Sequence, residues 1–244
     1  MELEKRFKNH DFFKTTISIC SEYNKRLKVN GENEELTNFE IYNFRILFSA
    51  DNILVCLDQL FYSIEMLSGF KRKPNSEMNR HAYIVFMLEN FYIRISSIFD
   101  RVLRFTNVVF ELGLEEQNCT LQKIKNNDKI KDTPIYSILE NLNTFIKKYR
   151  DLRNVIAHSS SYSEDQLDYI QMYYIYFESK KEELENPQDF ELTKKIAKLD
   201  TDSFVINKKI ELKEIANGLE LLLIEFLNEI AHFSVAIGQK YKNS

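Results

Sequence analysis

The segment YRDLRNVIAHSSSY, residues 149–162, brings together three side chains that can do chemistry: Arg153, Asn154 and His158. A neutral imidazole can take up or release a proton near pH 7. A guanidinium stabilises negative charge, and a carboxamide can orient either neighbour by hydrogen bonding. The segment therefore offers a base, a cation and an amide within six residues, a composition that suits a catalytic group.

A helix would present these side chains from one end of a packed support. Arg150, Asn154 and His158 recur every four residues and so share one helical face. Arg153 lies on the adjacent face, and its long side chain can swing toward His158. Three apolar residues of this segment are predicted to face the core and hold the backbone rigid: Val155, Ile156 and Ala157.

The spacing alone is weak support for catalysis. With ten arginines and four histidines in the chain, an Arg followed by a His four to six residues later is expected about 0.5 times by chance. In the alternative interpretation, Arg150 and Arg153 pair with Asp151 or other nearby carboxylates, and His158 simply ends a helix. The pattern leaves both interpretations open.

Hydrophobic patterning and sparse helix breakers predict an all-α protein. With only 5 Gly and 3 Pro in 244 residues, long helices and few tight turns are expected. Start and stop signals place helices over about residues 3–28, 39–68, 76–112, 134–158, 164–184 and 210–240. Between them we expect a loop with one helical turn at about residues 118–132, and a short extended piece at Phe204–Ile206.

These elements sum to a single all-α domain, residues 1–244, folded as an up-and-down bundle of five or more long helices. Within it we distinguish extra N-terminal helices (residues 1–72) from the bundle proper (residues 76–240). Two apolar stripes at alternating four- and three-residue steps support the helices. They consist of Ile84, Leu88, Phe91, Ile95, Ile98, Val102, Phe105 and Val109, and of Leu212, Ile215, Leu219, Leu222, Phe226, Ile230, Phe233 and Ile237.

Composition restricts the class of partner and the location. The net charge of −4 provides no global positive field, so any RNA would have to be held by a local basic patch. The three cysteines are far apart and are predicted to be reduced thiols of a cytoplasmic protein. The N-terminus lacks a secretory signal. Charged side chains interrupt the most apolar stretch, residues 219–238, which favours a buried helix over a membrane span.

No pattern indicates a cofactor or a metal. The sequence contains neither a P-loop nor a G-x-G-x-x-G segment. The histidines His10, His81 and His232 have no nearby acid or second histidine at metal spacing and are taken as structural. We therefore expect no cofactor and no metal.

The stretch YRDLRNVIAH resembles the Arg-x4–6-His signature of the HEPN superfamily, whose name abbreviates higher eukaryotes and prokaryotes nucleotide-binding. A polar residue, commonly Asn, directly after the Arg is typical of that family, and Asn154 occupies this place. A second stretch, FYIRISSIFDRVLRFTNVVFELGL (residues 91–114), resembles a long helix of bacterial HEPN subfamilies, some associated with phage defence. The resemblance covers about residues 76–240 and implies an all-α bundle.

The resemblance implies RNA cleavage without a metal, by a homodimer that brings two copies of the motif to a shared cleft. On that basis His158 is expected to act as general acid/base, Arg153 as phosphate stabiliser and Asn154 as the orienting group. Arg150 could add a further phosphate contact. The implied setting is bacterial stress or phage defence, including toxin–antitoxin systems, with an antitoxin or regulatory protein as a further partner.

The sequence differs from one branch of the family at a residue that regulates activity. In a toxin branch of the family, a Tyr two residues after the His is modified by a paired nucleotidyltransferase. Here Ser160 occupies that place and Tyr162 follows four residues after His158, so this control is not expected. Two other functions stay open: a catalytically silent helical module that binds a protein or a nucleotide, and a structural adaptor. A large exposed apolar face on the final helix would indicate the adaptor.

Two further groups could touch RNA. Arg101 and Arg104 belong, with Arg94, to a polar stripe that could follow a phosphate backbone. The alternative is a solvated face with Asp100 and Glu89 as partners. Aromatic residues in YIQMYYIYF could stack on unpaired bases, although at this spacing they are more often core or dimer interface. They are Tyr169, Tyr173, Tyr176 and Phe177.

Overall fold

The structure is a computed structural model that describes residues 7–30, 35–71, 77–179 and 187–242. Its α-helices are α1 (Asp11–Asn30), α2 (Asn38–Met66), α3 (Arg80–Val109), α4 (Leu121–Lys125), α5 (Pro134–His158), α6 (Asp165–Ser179) and α7 (Pro187–Lys242), with a 3-10 turn at Glu116–Asn118. Within these ranges no residue lies in a strand. The predicted all-α bundle is therefore confirmed.

The predicted apolar stripe of α3 lies in the core. All eight of its residues, from Ile84 to Val109, are completely buried. The helix ends at Val109, and Gly113 follows with φ of 69°, a conformation that glycine adopts without strain. The Asn107 side chain closes this end by donating to the Leu114 carbonyl oxygen at 2.9 Å and accepting its N–H at 3.1 Å.

The prediction for the C-terminal third was partly wrong. Residues 204–206, expected to be extended, belong to α7, which runs unbroken from Pro187 to Lys242. Pro187 stands at the first helical position, and neither Pro nor Gly recurs before Gly218. Phe204 and Val205 are buried on the inner face of this helix. Burial on one helical face therefore overrides the local preference of this apolar run for a strand.

Contacts divide the chain into two compact units. Unit 1 comprises residues 1–58, 95–148 and 217–244, and unit 2 comprises residues 59–94 and 149–216. The helices α2, α3, α5 and α7 contribute residues to both units. The assignment of the whole chain to one domain stays a prediction.

In unit 1, hydrogen bonds tie the first two helices together. Thr37 and Glu40 form a capping box at the start of α2, in which Thr37 donates its N–H to the Glu40 carboxylate at 2.9 Å and Glu40 returns its own N–H to the Thr37 hydroxyl at 3.3 Å. Arg26 of α1 binds the same carboxylate with two guanidinium nitrogens, at 2.5 and 2.9 Å. The Tyr42 hydroxyl donates to the Val109 carbonyl oxygen at 2.8 Å, which joins α2 to α3.

In unit 2, α7 is fixed to its neighbours by ionic contacts. Arg80 at the start of α3 pairs with Asp202 at 2.6 Å. Lys208, which is 8% exposed, donates to Glu164 and to Glu211, both at 2.7 Å. These contacts determine which face of α7 points inward, and they hold the segment that follows α5.

Two helices are long and apolar enough to cross a membrane by length and composition alone: α3 and residues 188–242 of α7. Their most apolar windows are 50% and 33% buried inside the protein. Core helices of soluble proteins meet the same criterion, and all eight residues of the α3 stripe are completely buried inside the protein. The cytoplasmic location stays a prediction.

Candidate active site at the end of α5

The helix α5 carries the motif beyond the part of the helix that is fully buried. Its buried residues are Ile135, Ile138, Leu139, Leu142 and Ile146. Continuing that stripe by steps of three and four leads to Tyr149, Arg153 and Ile156, which are only half-buried. Arg153 therefore stands at the inward edge of the helix, and its guanidinium has room to reach out.

The prediction that Val155, Ile156 and Ala157 face the core was wrong for Val155 and Ala157. Val155 is 43% exposed, Ala157 is exposed and Ile156 is half-buried. The reason is helical phase, because Val155 lies about 200° around the helix from Arg153 and so points away from the buried stripe. Tyr149 and Leu152, which precede the last turn, are both half-buried.

The three candidate catalytic residues are accessible and partly connected. Asn154 and His158 are exposed, and His158 is the last residue of α5. The Arg153 Nη1 donates to the Asn154 Oδ1 at 3.0 Å. Since Asn154 and His158 share a face about 6 Å apart along the axis, this bond turns the guanidinium toward the side that carries the imidazole. No hydrogen bond joins Arg153 to His158 within the part of the chain that the structure describes.

The backbone after His158 turns sharply and is then anchored. The N–H groups of Ser159 and Ser160 both donate to the Val155 carbonyl oxygen, at 2.9 and 3.1 Å. The exposed serines lead to Tyr162, which is 7% exposed and donates its N–H to Glu89 at 2.9 Å. This fixes the chain four residues after the imidazole.

The Tyr162 ring and hydroxyl complete the anchor. The ring stacks on Tyr92 at 5.2 Å, and the hydroxyl donates to Glu164 at 2.7 Å. Burial, with the neighbouring Tyr92 and Glu164, raises the pKa of Tyr162 far above its usual range. Lys208 holds the same Glu164 carboxylate. Sequence reasoning missed this anchor, because its members are 73 and 44 residues apart along the chain.

The predicted RNA contacts have different surroundings. Arg150 is half-buried and lies in unit 2, as do Arg153 and His158. Arg101 and Arg104 lie in unit 1, where Arg104 pairs with Glu116 at 3.2 Å and the Nε of Arg101 is buried without a hydrogen bond in the described part of the chain. The ion pair of Arg104 supports the structural alternative, although with Glu116 in place of the predicted partners. The RNA contacts stay predictions.

The tyrosines of α6 are divided between the surface and the contact with α7. Tyr169 is 55% exposed. The Tyr173 hydroxyl donates its one proton to Asp200 of α7 at 2.9 Å, and its oxygen lies 3.0 Å from the Tyr169 hydroxyl. Phe177 packs on Phe190 with ring centroids 5.7 Å apart. This face therefore joins α6 to α7 and leaves the rings of Tyr169 and Tyr176 exposed.

The described residues contain no group of three or more His, Cys, Asp or Glu side chains placed to hold a metal ion. A cavity of about 790 Å³ lies in unit 1 between the start of α1 and the end of α7, and its lining includes His10 and His232. His10 is engaged there, because its Nδ1 accepts the Phe12 N–H at 3.2 Å and its Nε2 contacts Asn228 Oδ1 at 2.8 Å.

The all-α bundle and the Arg-Asn…His group at the end of α5, with a half-buried Arg153 and exposed Asn154 and His158, are the features expected of a HEPN-type protein. A family model described as Cthe2314-like HEPN matches residues 2–203, and the chain therefore belongs to that family. The match includes the motif, and it also includes α1 and α2, which lie outside the region of resemblance seen in the sequence. The chain matches neither a curated protein nor a solved structure.

Proposed function

We propose that this protein is a metal-independent endoribonuclease of the HEPN type that acts in bacterial stress or phage defence. The observation that carries the proposal is the exposed end of α5, where Arg153 is hydrogen-bonded to Asn154 on the face that presents His158. Membership of the family supports it independently. The protein would act in the cytoplasm, with RNA as substrate and an antitoxin or regulatory protein as partner.

The chemistry follows from these side chains. The ribose 2′-oxygen attacks the adjacent phosphorus, a new O–P bond forms, and the bond to the leaving 5′-oxygen breaks to give a cyclic phosphate. One proton leaves the 2′-hydroxyl and another is delivered to the 5′-oxygen, and His158 is the group that transfers them. Arg153 stabilises the additional negative charge on phosphorus, and Asn154 keeps the guanidinium in position.

The two proton transfers supply the reason for a homodimer. Each chain offers one histidine at this place, whereas the reaction uses a base at one oxygen and an acid at the other. Two α5 ends facing each other would supply both groups, and the exposed Val155 provides apolar surface beside them. Arg150 then lies on the same face as Asn154 and His158, where it can contact a neighbouring phosphate.

The test is cleavage of a labelled single-stranded RNA by the purified protein in the presence of a chelator. His158→Ala is expected to lower the rate by at least about 100-fold, and Arg153→Ala by about 100- to 1,000-fold. The matched controls are His232→Ala and Arg45→Ala, which replace exposed residues of unit 1 and should leave the rate unchanged. Equal cleavage by wild type and a folded His158→Ala variant rejects the proposal.

A second function, that of a structural helical adaptor, is favoured by one observation. The outer face of α7 exposes a stripe of large apolar side chains, the feature expected of an adaptor. In that case replacing His158 would leave the cellular effect of the protein unchanged, whereas for the nuclease it would abolish toxicity on overexpression. A growth assay with both forms separates the two functions.

A further inference from the structure

The first half of α7 exposes apolar residues in a regular pattern, here called the α7 stripe. Its members are Leu192, Ile196, Leu199, Ile206 and Ile210, with Ser203 completing the spacing. The five apolar side chains are between 42% and 67% exposed. Their steps of four and three residues form the repeat by which one helix packs along another. A stripe of about 28 Å is therefore presented to solvent.

The α7 stripe is the face opposite to the one that packs inside unit 2. The buried residues of this part of the helix are Ala197, Thr201, Phe204, Val205, Lys208 and Leu212. They centre about 190° around the helix from the stripe. The inner face already fills the core of the unit, so the helix cannot bury the stripe by turning.

The edges of the stripe are held by contacts inside the same chain. Asp200 accepts the hydroxyl proton of Tyr173 at 2.9 Å, and Lys209 donates to the Ser68 hydroxyl at 3.2 Å. Asp202 pairs with Arg80 at 2.6 Å. The stripe is thus a preformed helix surface, and docking on it does not carry the entropic cost of ordering the helix.

Charges beside the stripe specify what fits it. In a parallel helix pair with this repeat, the residue just before the first core position of each heptad faces the residue five positions further along the second helix. In the α7 stripe these first core positions are residues 196, 203 and 210. This places Lys195 against Asp200 of a second copy, and Lys209 against Glu214 of a second copy. Asp202, whose charge Arg80 already balances, meets the neutral Asn207. The charges of Lys195, Asp200, Lys209 and Glu214 therefore each have a complementary partner in the chain's own sequence.

The opposite orientation is unfavourable. An antiparallel pair with the same core layers places Lys195 against Lys209 of the second copy and Asp202 against Asp202. Asp200 would likewise face Asp200. Like charges at facing positions destabilise a helix pair, so the charge pattern selects the parallel arrangement.

We propose that residues 192–214 of α7 form a self-association surface, on which the same stripe of a second copy docks in parallel. This inference goes beyond the proposed nuclease, because the residues at the end of α5 take no part in it. If the nuclease also associates through α5, the chain has two such surfaces and forms assemblies larger than a dimer. Failure of the nuclease proposal would leave the mass of the α7-linked assembly unchanged.

The test is the mass of the protein in solution, measured by light scattering after size exclusion over about 1 to 100 µM. Wild type is expected to exceed the mass of one chain, and the Leu199→Glu/Ile206→Glu variant to have half the wild-type mass. The matched control, Leu221→Glu/Val235→Glu, changes two equally exposed apolar residues of α7 outside the stripe and should keep the wild-type mass. Circular dichroism verifies that each variant is folded.

A charge exchange tests the parallel orientation. Lys209→Glu places two like charges against each other at both symmetry-related contacts and is expected to weaken association about tenfold. Adding Glu214→Lys restores opposite charges with the same composition and should restore association. A single-chain mass for wild type, or an unchanged mass for a folded stripe variant, overturns the inference, and absence of rescue overturns the parallel arrangement.

Discussion

The stripe of α3 and the α7 stripe follow the same spacing and have opposite surroundings. Every residue of the α3 stripe is completely buried, whereas those of the α7 stripe are about half exposed. Both repeat at four- and three-residue steps, so both have the pattern of a helix with one apolar side. The spacing predicts which residues share a side, but it does not determine whether the chain itself covers that side.

The difference arises from the number of apolar faces on each helix. Residues 192–212 of α7 have two, an inner one that includes Phe204 and Val205 and an outer one that includes Ile206. Three consecutive apolar residues therefore point to opposite sides of one helix. The same three residues look like a strand in the sequence, because a helix with two apolar faces loses its simple periodicity.

Replacing a leucine in each of the two stripes should give the largest difference in the free energy of unfolding. Leu88→Ala, in the buried stripe of α3, should lower the free energy of unfolding by about 2 to 5 kcal/mol, because it removes buried methyl groups and leaves a cavity. Leu199→Ala, on a side chain that is 67% exposed, should cost less than about 0.5 kcal/mol at a concentration where the protein is a single chain. Urea denaturation measures both. Similar losses would show that Leu199 is packed within its own chain.

The sequence predicted the parts of the fold that depend on local spacing. The helix α5 lies at the expected residues 134–158, and all eight residues of the α3 stripe are buried as expected. The exposed positions of Asn154 and His158 agree with the prediction of a motif at an exposed helix end. Each of these follows from periodicity and end signals within a few turns of one helix.

The parts that sequence reasoning missed depend on contacts between distant residues. Val155 is an exception: it was expected in the core, but its helical phase points it away from the buried stripe and it is 43% exposed. The anchor at Tyr162 requires Glu89 and Lys208, which no local pattern associates with the motif. Periodicity gives the faces of each helix, whereas burial at a helix end depends on where the neighbouring helices lie.

The second comparison is between a buried and an exposed carboxylate of α2, Glu40 and Glu65. The Arg26 guanidinium, with the N–H and hydroxyl of Thr37, lowers the pKa of Glu40 from its usual 4.5 to about 2, although burial opposes the shift. A lowered pKa means that the carboxylate stabilises the fold above its unfolded pKa and loses this effect as pH falls. Glu40→Gln should therefore cost about 2 kcal/mol at pH 7.

The pH dependence of this cost distinguishes the mechanism. The difference in unfolding free energy between wild type and Glu40→Gln should shrink as pH falls from 4.5 toward about 2. The matched change Glu65→Gln, on an exposed residue of the same helix, should have little effect at any pH. A Glu40→Gln cost that stays constant through this pH range would show that the ionised carboxylate is not what stabilises this end of α2.

The neighbouring residues Lys208 and Lys209 of α7 should give the smallest of the three differences in the free energy of unfolding. Lys208 is 8% exposed and donates to Glu164 and Glu211, both at 2.7 Å, whereas the exposed contact of Lys209 is with the neutral hydroxyl of Ser68. Lys208→Met should cost about 1 to 2 kcal/mol, because it leaves a partly buried carboxylate without its cation. Lys209→Met should cost less than about 0.5 kcal/mol at a concentration where the protein is a single chain.

The lysine contrast also tests the anchor beside the candidate active site. Glu164 receives both Lys208 and the Tyr162 hydroxyl, so loss of Lys208 loosens the segment that follows His158. Amide hydrogen exchange over residues 159–164 should become faster in Lys208→Met and stay unchanged in Lys209→Met. If exchange there is equally slow in both variants, Glu89 and the stacking of Tyr162 on Tyr92 suffice to hold the end of α5, and Lys208 stabilises α7 alone.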